Sequence, residues 1–231
     1  MMDFTFLITY YCQPDFLDIC IDSIKKYYPK AKIVISQQIG DNPINVKHKV
    51  IKHDMHSNVW VDAAIGLAKE CKTPIAIYIE HDAFLLRNVD DMLAKIRNNE
   101  YDLIGVEECI PFPGLERNAP GFANQNFFII NMKKMKKIGL EKMRADFTKD
   151  LNITNHESGY GISQSLDKKL FLPVSKSDYG LGTFYGDVCH HFWYGSFPRR
   201  NIEYDNINRL WIEEEADRLV NDYWQNKICV K

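Results

Sequence analysis

The chain has 231 residues, 45% of them hydrophobic and 13% aromatic, which suffices for one well-packed domain over 1–231. Its 29 basic and 31 acidic residues leave a formal charge of −2, which excludes a global basic field for nucleic acid and makes any anion site local. The longest uncharged apolar run near the start, Phe4 to Cys12, is too short to cross a bilayer, and Asp3 stands where a signal peptide carries positive charge. The six cysteines form no CxxC pair, which argues against a zinc knuckle or thioredoxin-like centre; we expect a cytoplasmic protein with reduced thiols and no transmembrane segment.

The first half alternates strand and helix patterns. Phe4 to Tyr10 has strand length, and Gln13-Pro14-Asp15 then opens a helix with Leu17, Cys20, Ile21, Ile24 and Tyr28 on one face. Pro14 is acceptable there because its missing N–H has no partner in a first helical turn. Pro29 ends the helix, Lys32 to Ser36 reads as a buried strand, and Gly40 to Pro43 is rich in turn formers. A third strand is expected over Val46 to Lys52. Ser57 or Asn58 then caps a helix bearing Val61, Ile65, Ala68 and Cys71, which Thr73-Pro74 breaks. The strand IYIEHDAFLL (77–86) follows, then a helix over Val89 to Arg97 and strands in Tyr101 to Val106 and Ala123 to Met132. Such alternation predicts an α/β sheet covered on both faces, with ligands beyond the carboxyl ends of its strands. In the second half loops dominate, notably Pro111 to Gly121 and Asp178 to Gly195. A short helical pattern over Ile162 to Leu170 interrupts them. A final amphipathic helix, roughly Asn206 to Asn226, presents Ile212, Ala216, Leu219 and Tyr223.

Within 77–86 the apolar run stops at Ile79 and gives way to Glu80-His81-Asp82. On a strand, residues two apart share a face, so Glu80 and Asp82 project together and His81 points away. Paired carboxylates repel unless a cation lies between them, and Mg²⁺ or Mn²⁺ prefers such oxygen ligands, commonly shared with a phosphate. The plainer reading is a polar loop start, with Asp82 capping the turn.

LITYYCQPDFLDICIDSIKKYYP and VDAAIGLAKECKTPIAIYIEHDAFLL, with the acid-x-acid triplet that ends the second, resemble the nucleotide-sugar-dependent glycosyltransferases of the GT-A fold over about the first 135 residues. That resemblance implies a Rossmann-like three-layer α/β/α sandwich with a mixed central sheet. Residues 1–135 would bind the nucleotide sugar, 136–205 would hold the acceptor and catalytic groups, and 206–228 would form a C-terminal helix. It implies Asp82 as ligand of the metal bridging the donor diphosphate, with Glu80 beside it on metal or ribose. Tyr10 and Tyr11 fall where the family binds the base, and one of the two is equally a core residue. Gln37 stands where the family often has an Asp that reads the base. DVCHHFWYGS (187–196) resembles the C-terminal loop that completes the metal site, with His191 favoured over His190, and Arg199 and Arg200 follow as candidate diphosphate contacts. For inverting members the resemblance implies an acidic base near a helix start; Glu157 is the candidate, with Asp178 and Asp187 as substitutes. The implied cofactors are Mn²⁺ or Mg²⁺ with a nucleoside-diphosphate sugar as donor, and the implied partner is a glycan or other hydroxyl acceptor. Phe184, Tyr185, Phe192, Trp193 and Tyr194 are read either as a sugar-stacking wall or as a satellite core.

Three other readings stand beside this one. A nucleotidyltransferase would need a glycine-rich phosphate loop after the first strand, which TYYCQPD lacks. A metal-dependent hydrolase would take ligands from His53-Asp54-Met55-His56 together with His190 and His191, and a carbohydrate-binding module would account for the aromatics alone.

Overall fold

A computed structural model describes residues 2–11, 13–38, 43–53, 59–110, 117–144, 159–179, 182–192 and 209–228. The chain runs β1 (Phe4–Tyr10), α1 (Pro14–Tyr27), β2 (Lys32–Gln38), β3 (Lys49–His53), α2 (Val59–Glu70), β4 (Ile75–Glu80), β5 (Ala83–Leu85), α3 (Asp90–Arg97), β6 (Leu103–Ile110) and β7 (Arg117–Asn131). It continues through α4 (Met132–Ile138), a 3-10 turn (Leu140–Arg144), α5 (Gly159–Ser165), β8 (Lys169–Leu172), β9 (Val174–Lys176), β10 (Thr183–Tyr185), β11 (Cys189–His191) and α6 (Arg209–Trp224). Seven strands form the central sheet in the order β3-β2-β1-β4-β7-β6-β8. The first four are mutually parallel, β7 is antiparallel to both its neighbours, and β8 is parallel to β6.

Helices cover both faces because the strands are apolar on both. Phe6, Ile8, Ile33, Ile35, Ile77 and Ile129 pack under α1 and α3, while Leu7, Val34, Ala76, Tyr78, Phe128 and Ile130 pack under α2, α4 and α5. This is the expected three-layer α/β/α sandwich with a mixed sheet. Each fully buried Ile, Leu or Phe contributes roughly 1.5–3 kcal/mol, so the two layers together hold the sheet rigid. At Gly105 the sheet admits no side chain, since a Cβ would lie 2.8 Å from Phe128 Cβ on the paired strand. Helix α1 begins at Pro14 with Asp15 in its first turn and ends with Lys25 and Lys26, in agreement with its macrodipole. No helix among the described residues is long and apolar enough to cross a membrane.

The second half departs from its expected loops. Asp178 to Gly195 contains β10 and β11, which join β5 and β9 in a four-stranded sheet of order β5-β11-β10-β9. Three-residue strands are too short to leave an alternation that a sequence reading could detect. Helix α5 starts earlier than Ile162 to Leu170 suggested, and Lys169–Leu172 is an edge strand. The two halves of the chain interleave: β8 extends the first half's sheet, and β5 from the first half pairs with β11. Ser23 of α1 fixes β5, accepting from Leu85 N at 3.0 Å and donating to the Cys20 carbonyl at 2.7 Å. Helix α6 closes the outer face of the small sheet: Leu219 is fully buried and Tyr223 donates to Asp22 at 2.8 Å.

Candidate metal centre

β4 ends at Glu80, at the carboxyl edge of the parallel strands, in register with Thr9 of β1. The chain then leaves the sheet. Residues 81 and 82 form a turn whose His81 N donates to the Thr9 carbonyl at 3.0 Å, and β5 begins at Ala83 in the second sheet. Glu80 and Asp82 therefore do not share a strand face as expected; the turn brings their carboxylates together. Pairing of β5 with β11 sets His191 opposite Ala83, and Phe192 N donates to the Asp82 carbonyl at 3.0 Å. Ligand atoms of Glu80, Asp82 and His191 all lie within 4.8 Å of one another, the one such group of His, Cys, Asp and Glu among the described residues.

His191 Nε2 stands 3.4 Å from Asp82 Oδ1 and 3.7 Å from Glu80 Oε2. Asp82 is buried, yet among the described residues its Oδ1 makes no aligned hydrogen bond. Burial pushes the pKa of this carboxyl up, but the imidazoles of His191 and His81 outweigh it and hold Asp82 below the usual carboxylate range. A buried carboxylate oxygen without an aligned donor, beside a second carboxylate and an imidazole, fits a divalent cation. Two oxygens and one nitrogen suit Mn²⁺ better than Mg²⁺.

The back of His191 is held by Asn126, which sequence reasoning missed, and by Tyr185, which it singled out only as a wall or core aromatic. Nδ1 is 3.0 Å from Asn126 Nδ2 and 3.0 Å from the Tyr185 hydroxyl, and Asn126 Nδ2 donates to that hydroxyl, also at 3.0 Å. The Tyr185 ring stacks on the imidazole at 5.8 Å between centroids. Asn126 comes from β7, one residue from the Phe127 that pairs with Ile79, and Asn124 Oδ1 accepts from Asn126 N at 2.8 Å. A signal existed: the polar run Asn124-Gln125-Asn126 stands directly before the apolar FFII of β7, at the same end of the sheet as Glu80.

His190, on the opposite face of β11, is enclosed by Phe84, Tyr179 and Phe184, with ring centroids 5.0, 5.9 and 4.9 Å away, and its Nε2 is 2.7 Å from Ser177 Oγ. Burial first, and the neighbouring His191 second, push its pKa down to about 3. Gly182 permits this enclosure, since a Cβ there would lie 2.9 Å from His190 Nε2.

The other expected residues divide clearly. Tyr10 is a core side chain whose ring meets His81 edge-on at 5.5 Å, whereas Tyr11, just past the strand end, is only partly buried. Gln37 lies beside Tyr10 in register and is buried, and its Oε1 accepts from Lys52 Nζ at 2.5 Å. Asp187 is not brought to the centre: it sits on the turn before β11, at the end away from His191, where its exposed carboxylate pairs with Arg87 at 2.9 Å. Phe184, Tyr185 and Phe192 are buried, Tyr185 in the main core and Phe192 stacking on Phe16 at 5.4 Å beneath α6, which favours the packing reading for these three. Glu157, Arg199, Arg200, Trp193 and Tyr194 lie outside the described residues, as do Asp54, Met55 and His56.

No protein-family profile matches the sequence, and no curated protein is significantly similar to it. Among solved structures, the chain overlaps S. aureus TarS 1-349 at 10% identity and a TM-score of 0.49, over 74% of this chain and 58% of that one. A galactosyltransferase, LgtC, solved in complex with donor and acceptor sugar analogs, overlaps at 12% identity and a TM-score of 0.48, over 73% of each chain. The bifunctional IspDF from Campylobacter jejuni overlaps at 10% identity and 0.47, over 80% of this chain and 52% of that one. The chain thus spans 58% of the TarS fragment and 35% of a longer TarS structure. With TM-scores of 0.49 and below, these overlaps carry no argument about chemistry, and the functional reading rests on the site.

Proposed function

We propose that the protein is a metal-dependent glycosyltransferase that moves a sugar from a nucleoside-diphosphate sugar to an acceptor hydroxyl. The observation that carries this reading is the convergence of Glu80, Asp82 and His191 at the carboxyl edge of the parallel strands, where open α/β sheets bind their ligands. Asp82 and His191 would hold Mn²⁺ or Mg²⁺, with Glu80 beside them. A bound cation would stabilise negative charge on the departing diphosphate. Tyr11, past the end of β1, would stack on the nucleobase, and Gln37 with its Lys52 partner would meet the base edge. Arg199 and Arg200 would contact the diphosphate through bidentate hydrogen bonds. In an inverting displacement Glu157 takes the proton of the acceptor hydroxyl as that oxygen attacks the anomeric carbon and the nucleoside diphosphate departs.

The hydrolase reading loses a ligand, because His190 is enclosed by aromatic rings on the far face of β11.

Thermal-shift titration with nucleoside diphosphates tests the proposal. Stabilisation should require Mn²⁺ and should disappear in Asp82→Ala. Stabilisation by metal with indifference to every nucleotide would remove the transferase reading. For the base, Glu157→Gln should lower turnover by about 10²–10⁴-fold with donor affinity unchanged, and normal turnover would discard the assignment.

A further inference from the structure

The three mutual 3.0 Å contacts among His191 Nδ1, Asn126 Nδ2 and the Tyr185 hydroxyl bear on a question that the ligand cluster alone does not answer: which ring nitrogen carries the proton. A neutral imidazole has one N–H and one lone pair, and what faces each nitrogen decides between them. Nε2 faces, among the described residues, the carboxylate oxygens of Asp82 and Glu80 at 3.4 and 3.7 Å, and these can only accept. At Nδ1 stand an amide, which is a donor at one end and an acceptor at the other, and a hydroxyl, which can be either.

We propose that Asn126, backed by Tyr185, sets the tautomer of His191 and so decides whether Nε2 offers the Glu80–Asp82 pair an N–H or a lone pair. This rests on the metal-centre reading above. With the amide as found, Nδ2 donates to Nδ1, the proton is on Nε2, and an N–H is turned toward the two carboxylates at 3.4 and 3.7 Å. With the amide turned about its axis, Oδ1 accepts from Nδ1–H, Tyr185 donates to that same oxygen, and the Nε2 lone pair faces the carboxylates, free to ligate. The ring releases a proton at Nε2 and takes one at Nδ1, so its charge does not change. All three residues are buried, so bulk water does not compete for these contacts. Asn is suited to this position because it serves both states; a carboxylate there serves only one. Both residues are positioning residues, acting on a cation only through His191.

Ring-nitrogen NMR of ¹⁵N-labelled, chelator-treated protein, above the range where imidazoles titrate, reads the tautomer directly. His191 should carry its proton on Nε2 in the wild type and on Nδ1 in Asn126→Asp, whose carboxylate can only accept. Mn²⁺ titration by calorimetry should show affinity lowered about 10–100-fold in Asn126→Leu and in Tyr185→Phe. The same tautomer in the wild type and Asn126→Asp overturns the proposal. So does unchanged Mn²⁺ affinity in both of the other variants. The failures are distinguishable: a wild type that binds no Mn²⁺ removes the metal centre, whereas an Asn126-insensitive ring removes only the tautomer control. Thermal midpoints in chelator separate either result from loss of folding.

Discussion

His190 and His191 are neighbours in sequence and share nothing in environment. One faces three aromatic rings and a serine, the other two carboxylates, an amide and a tyrosine hydroxyl. The alternation of a strand is the whole cause, since successive side chains leave opposite faces. The small sheet turns one face toward the main core and the other toward α6, so two residues of the same type stand in a packed layer and in the candidate metal centre within one dipeptide. A reactive side chain here is identified by its neighbours and not by its type.

The contrast can be broken by paired substitution. His191→Ala should lower Mn²⁺ affinity by at least about a hundredfold, more than loss of a supporting residue does, with little change in the unfolding midpoint. His190→Ala should do the reverse, lowering stability by about 2–5 kcal/mol through the cavity it leaves while Mn²⁺ affinity persists. Equal effects of the two changes on both readouts would abolish the distinction.

A smaller effect sharpens it. The pKa of His190 is pushed down to about 3, below the ordinary value near 6.5 that applies when the chain unfolds. The unfolded chain therefore binds one more proton between those values, so stability present above about pH 6.5 is lost as pH falls toward 3. Between pH 7 and 5 this group should remove about 2 kcal/mol, read from urea midpoints, and His190→Phe should remove that share of the slope. An unchanged slope in the variant would mean that another group carries the acid sensitivity.

Much of the fold was legible because long elements declare themselves. The largely apolar β1, the prolines that bound α1 and its one apolar face, and the sudden polarity after Ile79 each pointed to what the structure contains. The site was legible only in part. The proximity of Asp82 and His191 was expected from local motifs and a resemblance, but the expected cause of the Glu80–Asp82 convergence was a strand face, and the actual cause is a turn between two sheets. The relation of Asn126 and Tyr185 to His191 escaped because it is made by pairing across 65 residues in one case and by a three-residue strand in the other. Neither distance leaves a periodic trace.

One consequence of β11 concerns length, not chemistry. Its register is carried from the turn at Gly186–Val188, where Gly186 adopts a φ of 56° and Val188 N bonds back to the Tyr185 carbonyl at 3.2 Å. Because the side-chain period is two, a single residue gained or lost in that turn would not loosen the strand so much as invert it. His190 would then be turned toward the carboxylates and His191 toward the rings. The number of residues in a short surface turn is thus as much a part of the candidate metal centre as Glu80, Asp82 or His191.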